Sequence, residues 1–303
     1  MNTRGAAVVM AMLLAALAAI IGATLLWQQQ RWIGEHELRR DQVQAQALAM
    51  AGVQWARQIV FENAPATVVH LGQPWAFRLP ATPIERGSIS GYITDAQAGL
   101  NVNNLAAGTA SASSRTAFQR LLAELGVPPS FLNAVGDWVD PDSIPTDNGG
   151  AEDGYYLAQS VPRLAANAPL ERVSELLAVR GADSTIVARL LPFVDAIDAP
   201  SAINVNTAPP EVLMAAIGGL DATGAAALVA ARMAAPFATV SDFRGKLPGS
   251  ALAVDETILS VKSDWFIVTI EARQADTTAH ARALLKRSTG AGQWPGVVWE
   301  TVE

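Results

Sequence analysis

The amino-acid sequence predicts an α+β fold: a long N-terminal helix, its first half transmembrane, packs on an antiparallel sheet that a large α-helical domain interrupts. Three observations predict it. An uncharged apolar run of 22 residues extends from Ala6 to Trp27. Short β-like segments occur in 63–98 and return in 260–303, and the block between them, 99–259, has helical patterning. A β region split by a helical block indicates an inserted domain.

The apolar run is long enough to cross a membrane. A helix of this length extends about 33 Å, against about 30 Å for a bilayer core. No proline separates it from the next segment, so one helix is predicted over 6–62, with 6–27 transmembrane. The second half is amphipathic, and its predicted apolar face consists of Leu38, Ala45, Leu48, Gly52, Ala56 and Ile59.

Charges around the span predict its orientation. Arg4 and the amino terminus precede it, whereas the arginines between 31 and 40 are matched by nearby Glu and Asp residues. The positive-inside bias therefore places the N-terminus in the cytoplasm and the large C-terminal part outside. On these features alone, a simple signal anchor remains an alternative.

Composition excludes several functional classes. The net charge of −7 disfavours a nucleic-acid partner for the chain as a whole. The chain contains no cysteine, which excludes disulfides, thiol catalysis and cysteine-based metal sites.

Six segments are predicted to form the sheet, three on each side of the helical block. They are Thr67–Leu71, Pro74–Leu79, Ser88–Thr94, Trp265–Arg273, Ala279–Lys286 and Val297–Val302. In the fourth segment, Phe266, Val268, Ile270 and Ala272 alternate onto one face. This face is expected to lie on the amphipathic half of the first helix.

The helical block contains an internal echo. The sequence LNVNN at 100–104 is followed by one helical stretch, and INVNT at 203–207 by another. Ala215–Ala231 is predicted to form a helix, a glycine-containing hairpin and a second helix, and it resembles helix-hairpin-helix and SAM-like modules. Helix capping and packing alone would also explain these residues.

An acidic segment lies between the two halves of the block. No Lys or Arg occurs from Asp137 to Pro162, and the candidate metal ligands there are Asp140, Asp142, Asp147, Glu152 and Asp153. Crowded carboxylates repel unless they are solvated, protonated or bridged by a cation. A flexible loop of oxygen ligands suits Ca²⁺, although the spacing is not that of an EF-hand. A solvated acidic turn is the alternative, and physical reasoning alone leaves both open.

Several motifs in order along the chain resemble the K-type minor pseudopilins (GspK family) of bacterial type II secretion systems. They are an Arg-Gly junction before the apolar helix, ITDAQAGLNVN at 93–103, DWVDPD at 137–142, GAEDGYY at 150–156, ANAPLERVSELLAVRG at 166–181, INVNTAPPEVL at 203–213 and SDWFIVTIEA at 263–272. The resemblance implies a pilin-like fold with an inserted helical domain. It also implies a place at the tip of the periplasmic pseudopilus, in complex with I-type and J-type minor pseudopilins.

The same resemblance implies processing and a cofactor. Residues 1–5 would be a leader that prepilin peptidase removes between Gly5 and Ala6, leaving a methylated N-terminus anchored in the inner membrane. The family binds calcium near the acidic loop, which favours Ca²⁺ over the solvated turn. Most type IV pilins carry Glu at mature position five; this chain has Met10 there, as K-type pseudopilins do, which fits a tip subunit.

Two other functional classes fit the sequence less well. A membrane-anchored DNA receptor of the competence type also has one span and a helix-hairpin-helix, but Ile203–Ala231 contains no Lys or Arg to hold phosphate. An enzyme is disfavoured because the three histidines, His36, His70 and His280, lie in separate segments and no catalytic motif accompanies them. The sequence therefore predicts no enzymatic activity, no nucleic-acid partner and no small-molecule substrate.

Overall fold

The structure is a computed structural model that describes residues 3–62, 67–106, 112–249, 252–288 and 292–303, with side chains from residue 8 onward. Within these ranges it contains α-helices, strands and short 3-10 helices. The α-helices are α1 Thr3–Glu62, α2 Ala112–Glu124, α3 Ser130–Val139, α4 Asp153–Leu157, α5 Ser184–Leu190, α6 Pro210–Ala216, α7 Ala222–Ala234 and α8 Val240–Arg244. The strands are β1 Leu79–Ile84, β2 Gly87–Asp95, β3 Leu100–Asn101, β4 Val194–Asp195, β5 Ile203–Asn204, β6 Leu259–Ser260, β7 Trp265–Gln274, β8 Thr277–Lys286 and β9 Gly296–Val302. The 3-10 helices are Pro74–Ala76, Val102–Leu105, Val173–Ala178 and Glu256–Ile258.

Helix α1 is one continuous helix of 60 residues, which confirms the long N-terminal helix. It is the one described helix that is long and apolar enough to cross a membrane, and none of its most apolar 18-residue window is buried within the chain. Side chains such as Leu13 and Leu17 are 65% and 55% exposed. An apolar surface of this extent requires a lipid or protein environment outside the chain.

Strands from before and after the helical domain form one antiparallel sheet, as predicted. Its order is β1-β2-β7-β8-β9. The central pairing of β2 with β7 runs in register from Gly87 opposite Gln274 to Asp95 opposite Phe266. The chain therefore leaves the sheet at the end of β2 and re-enters it beside the same strand at the start of β7.

Two of the predicted strands are wrong. Thr67–Leu71 forms no strand, and Pro74–Leu79 is mainly a 3-10 helix and a connector. The strand that occupies this edge of the sheet is β1, which contains Pro80 and Pro83 and so did not match a strand pattern. Proline is tolerated there because an edge strand has one side without ladder hydrogen bonds.

The C-terminal half of α1 packs on the middle of the sheet. Its buried side chains are Ala45, Ala49, Val53, Ala56 and Val60, each at most 2% exposed, and they meet Phe266, Val268, Ile270 and Ala272 of β7. The predicted face of β7 is therefore confirmed. The predicted face of α1 is wrong at Leu38 alone, which is 63% exposed because it lies before the helix reaches the sheet; Leu48 and Ile59 are partly buried and pack against this core.

The helical domain has its own core and is not wholly helical. Large buried side chains from successive elements, including Leu121, Tyr156, Leu213 and Phe243, form one cluster. Two short parallel strand pairs, β3 with β4 and β5 with β6, close loops that the sequence had predicted to be helical.

The internal echo is a repeated hydrogen-bonding unit. The Asn101 side chain accepts from the backbone N–H of Asn103 at 3.1 Å, and Asn204 accepts from Asn206 at 3.0 Å. The second asparagine of each unit then clamps one downstream residue through both amide atoms: Asn103 holds Leu170 and Asn206 holds Phe237. Classification of the domain as SAM-like remains a prediction.

Asp95 ties the sheet to the helical domain. This buried carboxylate at the end of β2 accepts from Ser263 Oγ at 2.5 Å, Thr207 Oγ1 at 2.6 Å and Asn204 Nδ2 at 3.0 Å. Burial is the main influence on the pKa of Asp95 and raises it, whereas these hydrogen bonds lower it. Because the donors come from both the helical domain and the segment before β7, Asp95 fixes how the two parts meet.

Candidate functional site

Three carboxylates converge beside the acidic loop. One oxygen each from Asp140, Asp142 and Glu152 lies within 4.8 Å of the others. Asp140 directly follows α3, Glu152 directly precedes α4, and Asp142 lies in the connecting loop. Asp140 and Glu152 are buried, whereas Asp142 is exposed, so the group opens toward solvent on one side.

The loop is folded back on α3 by a fully buried carboxylate. Asp137 Oδ2 accepts from the backbone N–H of Thr146 at 2.9 Å, and the N–H of Gly150 donates to the Thr146 carbonyl at 3.0 Å. A Cβ at Gly150 would lie 2.2 Å from Asp137 Oδ2, so only glycine fits this contact. Asn148 and Gly149 make the turn with φ of 62° and 114°.

The environment of the cluster opposes negative charge. Burial raises the pKa of Asp140 to about 6, and the charges of Asp142 and Asp137 add to the shift. Burial likewise raises the pKa of Glu152 to about 7, with further contributions from Asp137 and Asp140. Both oxygens of Glu152, Asp140 Oδ1 and Asp137 Oδ1 are buried without a hydrogen-bond partner among the described residues.

These features fit a hard cation. Buried carboxylate oxygens without donors are unfavourable unless a proton or a positive charge reaches them. Ca²⁺ takes six to eight oxygen ligands, which carboxylates and backbone carbonyls of a flexible loop can supply. In chemical terms, the cluster could hold a proton or a divalent cation.

Two of the five predicted ligands lie outside the three-carboxylate group. Asp147 is exposed, and its backbone carbonyl accepts from Asn133 Nδ2 at 3.0 Å. Asp153 Oδ1 accepts from the N–H of Ala165 at 2.9 Å, which ties the next loop to α4. The sequence reasoning left out Asp137, although it lies one helical turn before Asp140 and therefore on the same face of α3.

An aromatic and arginine layer supports the site from behind. The rings of Trp138 and Tyr156 meet edge to face at 4.9 Å, and the Arg163 guanidinium lies over both. Arg180 donates its backbone N–H to Tyr156 Oη at 3.1 Å and a guanidinium N–H to the Gly150 carbonyl at 3.0 Å. The loop position is therefore coupled to the core of the helical domain.

The predicted cleavage junction lies at the start of α1. Gly5 and Ala6 are in its first turns, and the Ala6 side chain lies outside those described. Met1 and Asn2 of the predicted leader lie outside the described residues. Met10 is 60% exposed within the apolar half of α1.

Comparison with known proteins shows similarity to one family along nearly the whole chain. The family described as type II secretion system protein K matches residues 98–199 and 203–262. Type II secretion system protein K of Pectobacterium carotovorum is 32% identical, covering 94% of this chain and 93% of that protein. The Klebsiella pneumoniae protein of the same name is 33% identical, covering 97% and 95%.

A solved structure has the same fold. It is a chain of the crystal structure of the GspK–GspI–GspJ complex from the enterotoxigenic Escherichia coli type 2 secretion system. The TM-score is 0.76 at 27% identity, covering 89% of this chain and 99% of that one.

Proposed function

Because the chain belongs to the protein K family and is a minor pseudopilin of a type II secretion system, we propose that it caps the tip of the pseudopilus. At this place it would support pseudopilus initiation and the export of folded proteins across the outer membrane. The helical domain supports a cap, since a domain this large beside the sheet would obstruct a subunit stacked above it. Labelling that found the chain regularly along the pseudopilus shaft would contradict this placement.

The proposed partners are an I-type and a J-type minor pseudopilin. The single observation that carries this proposal is the match of this fold to a chain solved in a GspK–GspI–GspJ complex. Co-production of the full-length chain with both partners, followed by purification in detergent through a tag on this chain, should recover all three. Recovery of the tagged chain alone would contradict the proposal.

Membrane insertion and processing follow from α1. We propose that its apolar half crosses the inner membrane, with the folded part in the periplasm, and that prepilin peptidase cuts between Gly5 and Ala6 before methylation of Ala6. Glycine leaves room in a narrow cleavage site, so Gly5→Glu should accumulate as an uncleaved precursor in the membrane. Normal N-terminal processing of that variant, measured by mass spectrometry, would refute the junction.

The acidic cluster is proposed to bind Ca²⁺. Asp140, Asp142 and Glu152 would provide the carboxylate oxygens, and Asp147, Asp153 and loop carbonyls remain in the pool of further ligands. The cation would offset the mutual repulsion of the carboxylates and so hold the loop between α3 and α4 in place. Titration calorimetry of the full-length chain with CaCl₂ should detect binding, and its absence would leave the cluster as a protonated or solvated loop.

The competing functional classes gain no support. The relatives named above are described as type II secretion system protein K, and the matching structure is a chain of a GspK–GspI–GspJ complex. The absence of enzymatic activity remains a prediction from the sequence.

A further inference from the structure

A cavity of about 390 Å³ lies where the segment after α1 meets α7. One wall is the His70–Gly72 segment, and the other is the face of α7 that carries Val229, Arg232 and Met233. At about 30 Å³ for each water molecule, the cavity has room for roughly a dozen waters. This volume is typical of a site that receives a small ligand or a side chain of another molecule.

Hydrogen bonds hold the first wall in place. Val69 donates its N–H to the Val261 carbonyl at 2.8 Å, and its own carbonyl accepts from Asn204 Nδ2 at 3.0 Å. The N–H of Gly72 donates to His70 Nδ1 at 3.1 Å. Because Nδ1 is the acceptor, the proton of the neutral His70 ring is on Nε2, which remains available as a donor.

Arg232 brings a positive charge without a carboxylate partner to the cavity. Its Nη1 donates to the carbonyls of Val205 and Ala208 at 2.8 and 2.6 Å, which fixes the guanidinium. Every Asp and Glu of the chain lies within the described residues, and none forms an ion pair with Arg232. Burial lowers the pKa of Arg232 to about 10, so the group is charged at neutral pH. Among the described residues, Nε and Nη2 have no hydrogen-bond acceptor.

The chemistry of the cavity favours a carboxylate attached to an apolar group. The Nε and Nη2 edge of a guanidinium matches the two oxygens of a carboxylate. Leu71 and Met233, which are 54% and 81% exposed, add apolar surface at the mouth, and Val229 adds it on the wall. A nucleic acid is disfavoured, because the chain has a net charge of −7.

A lipid head group could not reach this cavity. From Trp27, where the apolar run ends, to Glu62, α1 extends about 50 Å. The chain from Glu62 to His70 could turn back by at most about 28 Å. The cavity therefore lies more than about 20 Å from the end of the apolar run, and its ligand has to come from the aqueous phase.

We propose that the cavity between His70 and Arg232 binds the carboxylate of a ligand whose remaining part is apolar. Arg232 pairs with the two carboxylate oxygens through Nε and Nη2, and His70 Nε2 is a further donor. The apolar part lies against Leu71, Val229 and Met233. A free carboxylic acid and an acidic side chain in an apolar protein segment share this chemistry. The inference goes beyond the proposed function and does not depend on it.

Methyl NMR of the full-length chain in detergent tests the proposal. Methionine labelled with ¹³C at the methyl group provides a probe at the cavity, Met233, and a control in the apolar half of α1, Met10. Hexanoate represents the free acid, and N-acetyl-Leu-Glu-Leu-amide represents the acidic segment. Hexanamide and N-acetyl-Leu-Gln-Leu-amide are their uncharged counterparts.

We expect one or both acids to shift the Met233 signal saturably and to leave Met10 unchanged. The dissociation constant should be about tenfold or more below that of the matching amide, because a charge-assisted pair is lost in the amide. Tighter binding of hexanoate identifies a free acid as the source, and tighter binding of the peptide identifies a protein segment. The absence of a shift, equal binding of acid and amide, or a parallel shift of Met10 overturns the proposal.

Substitutions at the wall and at the mouth give an independent measurement. Arg232→Gln should abolish binding of the acid. Because Arg232 also holds two backbone carbonyls, Leu71→Glu provides a second variant at an exposed position, and its added charge should weaken binding about tenfold or more. Leu164→Glu, at a residue that is 61% exposed in the helical domain, is the matched control and should leave binding unchanged. Wild-type affinity in Leu71→Glu, or an equal loss in Leu164→Glu, would refute the site even if Arg232→Gln fails to fold.

Discussion

Replacement of Glu152 by glutamine should stabilise the calcium-free protein and remove the stabilisation that calcium gives. Glu152 is buried, its two side-chain oxygens have no hydrogen-bond partner among the described residues, and Asp140 and Asp142 lie within 4.8 Å. Glutamine has nearly the same shape, so the substitution changes the charge and leaves the packing intact.

The magnitude follows from the separation of the carboxylates. Two unit charges at 4.8 Å repel by about 3 kcal/mol at an effective dielectric constant of about 20. Solvent at the exposed Asp142 and partial protonation of Glu152 reduce this, so Glu152→Gln should stabilise the calcium-free protein by about 1–2 kcal/mol. Calcium at a hundred times its dissociation constant stabilises the wild type by about 2.7 kcal/mol, or roughly 5–10 °C in melting temperature.

Thermal melts of the full-length chain in detergent give the assay. In chelator at pH 8, Glu152→Gln should melt above the wild type, and in excess CaCl₂ the wild type should melt above the variant. Glu124→Gln is the matched control, because Glu124 is an exposed carboxylate at the end of α2, outside the acidic segment, and its replacement should keep the calcium response. A calcium response in Glu152→Gln equal to that of the wild type, or a lower melting temperature in chelator, would refute this reasoning.

Three further predictions concern stability. Asp95→Ala should cost about 2–4 kcal/mol in denaturant unfolding because it removes an acceptor that three buried side-chain donors share; a loss below about 1 kcal/mol would contradict the role of Asp95 in joining the two parts of the chain. Gly52→Val should lower the free energy of unfolding by about 1–3 kcal/mol, because its Cβ would lie 2.8 Å from a β7 side chain. Ala51→Val on the exposed face should cost less than about 0.7 kcal/mol. Equal losses would show that α1 is not closely packed at Gly52. The pKa values of Asp140 and Glu152 are raised to about 6 and about 7, so the calcium-free protein should lose stability as pH rises from 5 to 8. The calcium-induced rise in melting temperature should grow over the same range. A calcium effect independent of pH would argue against these carboxylates as ligands.

The acidic site shows where sequence reasoning stopped. The sequence shows that carboxylates are crowded in 137–153, but it does not show which of them converge as candidate metal ligands. Asp147 is exposed beside the turn at Asn148 and Gly149, and the hydrogen bond from Ala165, outside the acidic segment, engages Asp153. Neither feature is visible in the spacing of the carboxylates. Asp137 is not among the predicted ligands, because an aspartate at this place also suits a residue that caps or orients the neighbouring helix; in the structure it accepts from the backbone N–H of Thr146.

The prediction of the edge strand was wrong for a related reason. Strand patterns favour alternating apolar residues and disfavour proline, so the segment 67–79 was preferred over β1 with Pro80 and Pro83. Pairing with a neighbouring strand holds β1 in the sheet although its own sequence has low strand propensity: Thr82 of β1 lies opposite Ile89 of β2. Strand propensity predicts poorly where pairing with one neighbouring strand determines whether a segment joins the sheet.

The sequence by itself determined the elements whose signal is local and long. A 22-residue apolar run gives a helix long and apolar enough to span a membrane, and the alternation of Phe266, Val268, Ile270 and Ala272 sets the face of β7 that meets α1. The absence of cysteine excludes disulfides and thiol chemistry. Only the tertiary structure decided which carboxylates converge, which turn of α1 first meets the sheet, and that Asp95 joins the two parts of the chain. These features join residues far apart in the sequence, and the free energy that selects them comes from burial and from hydrogen bonds that exist only once the chain has folded.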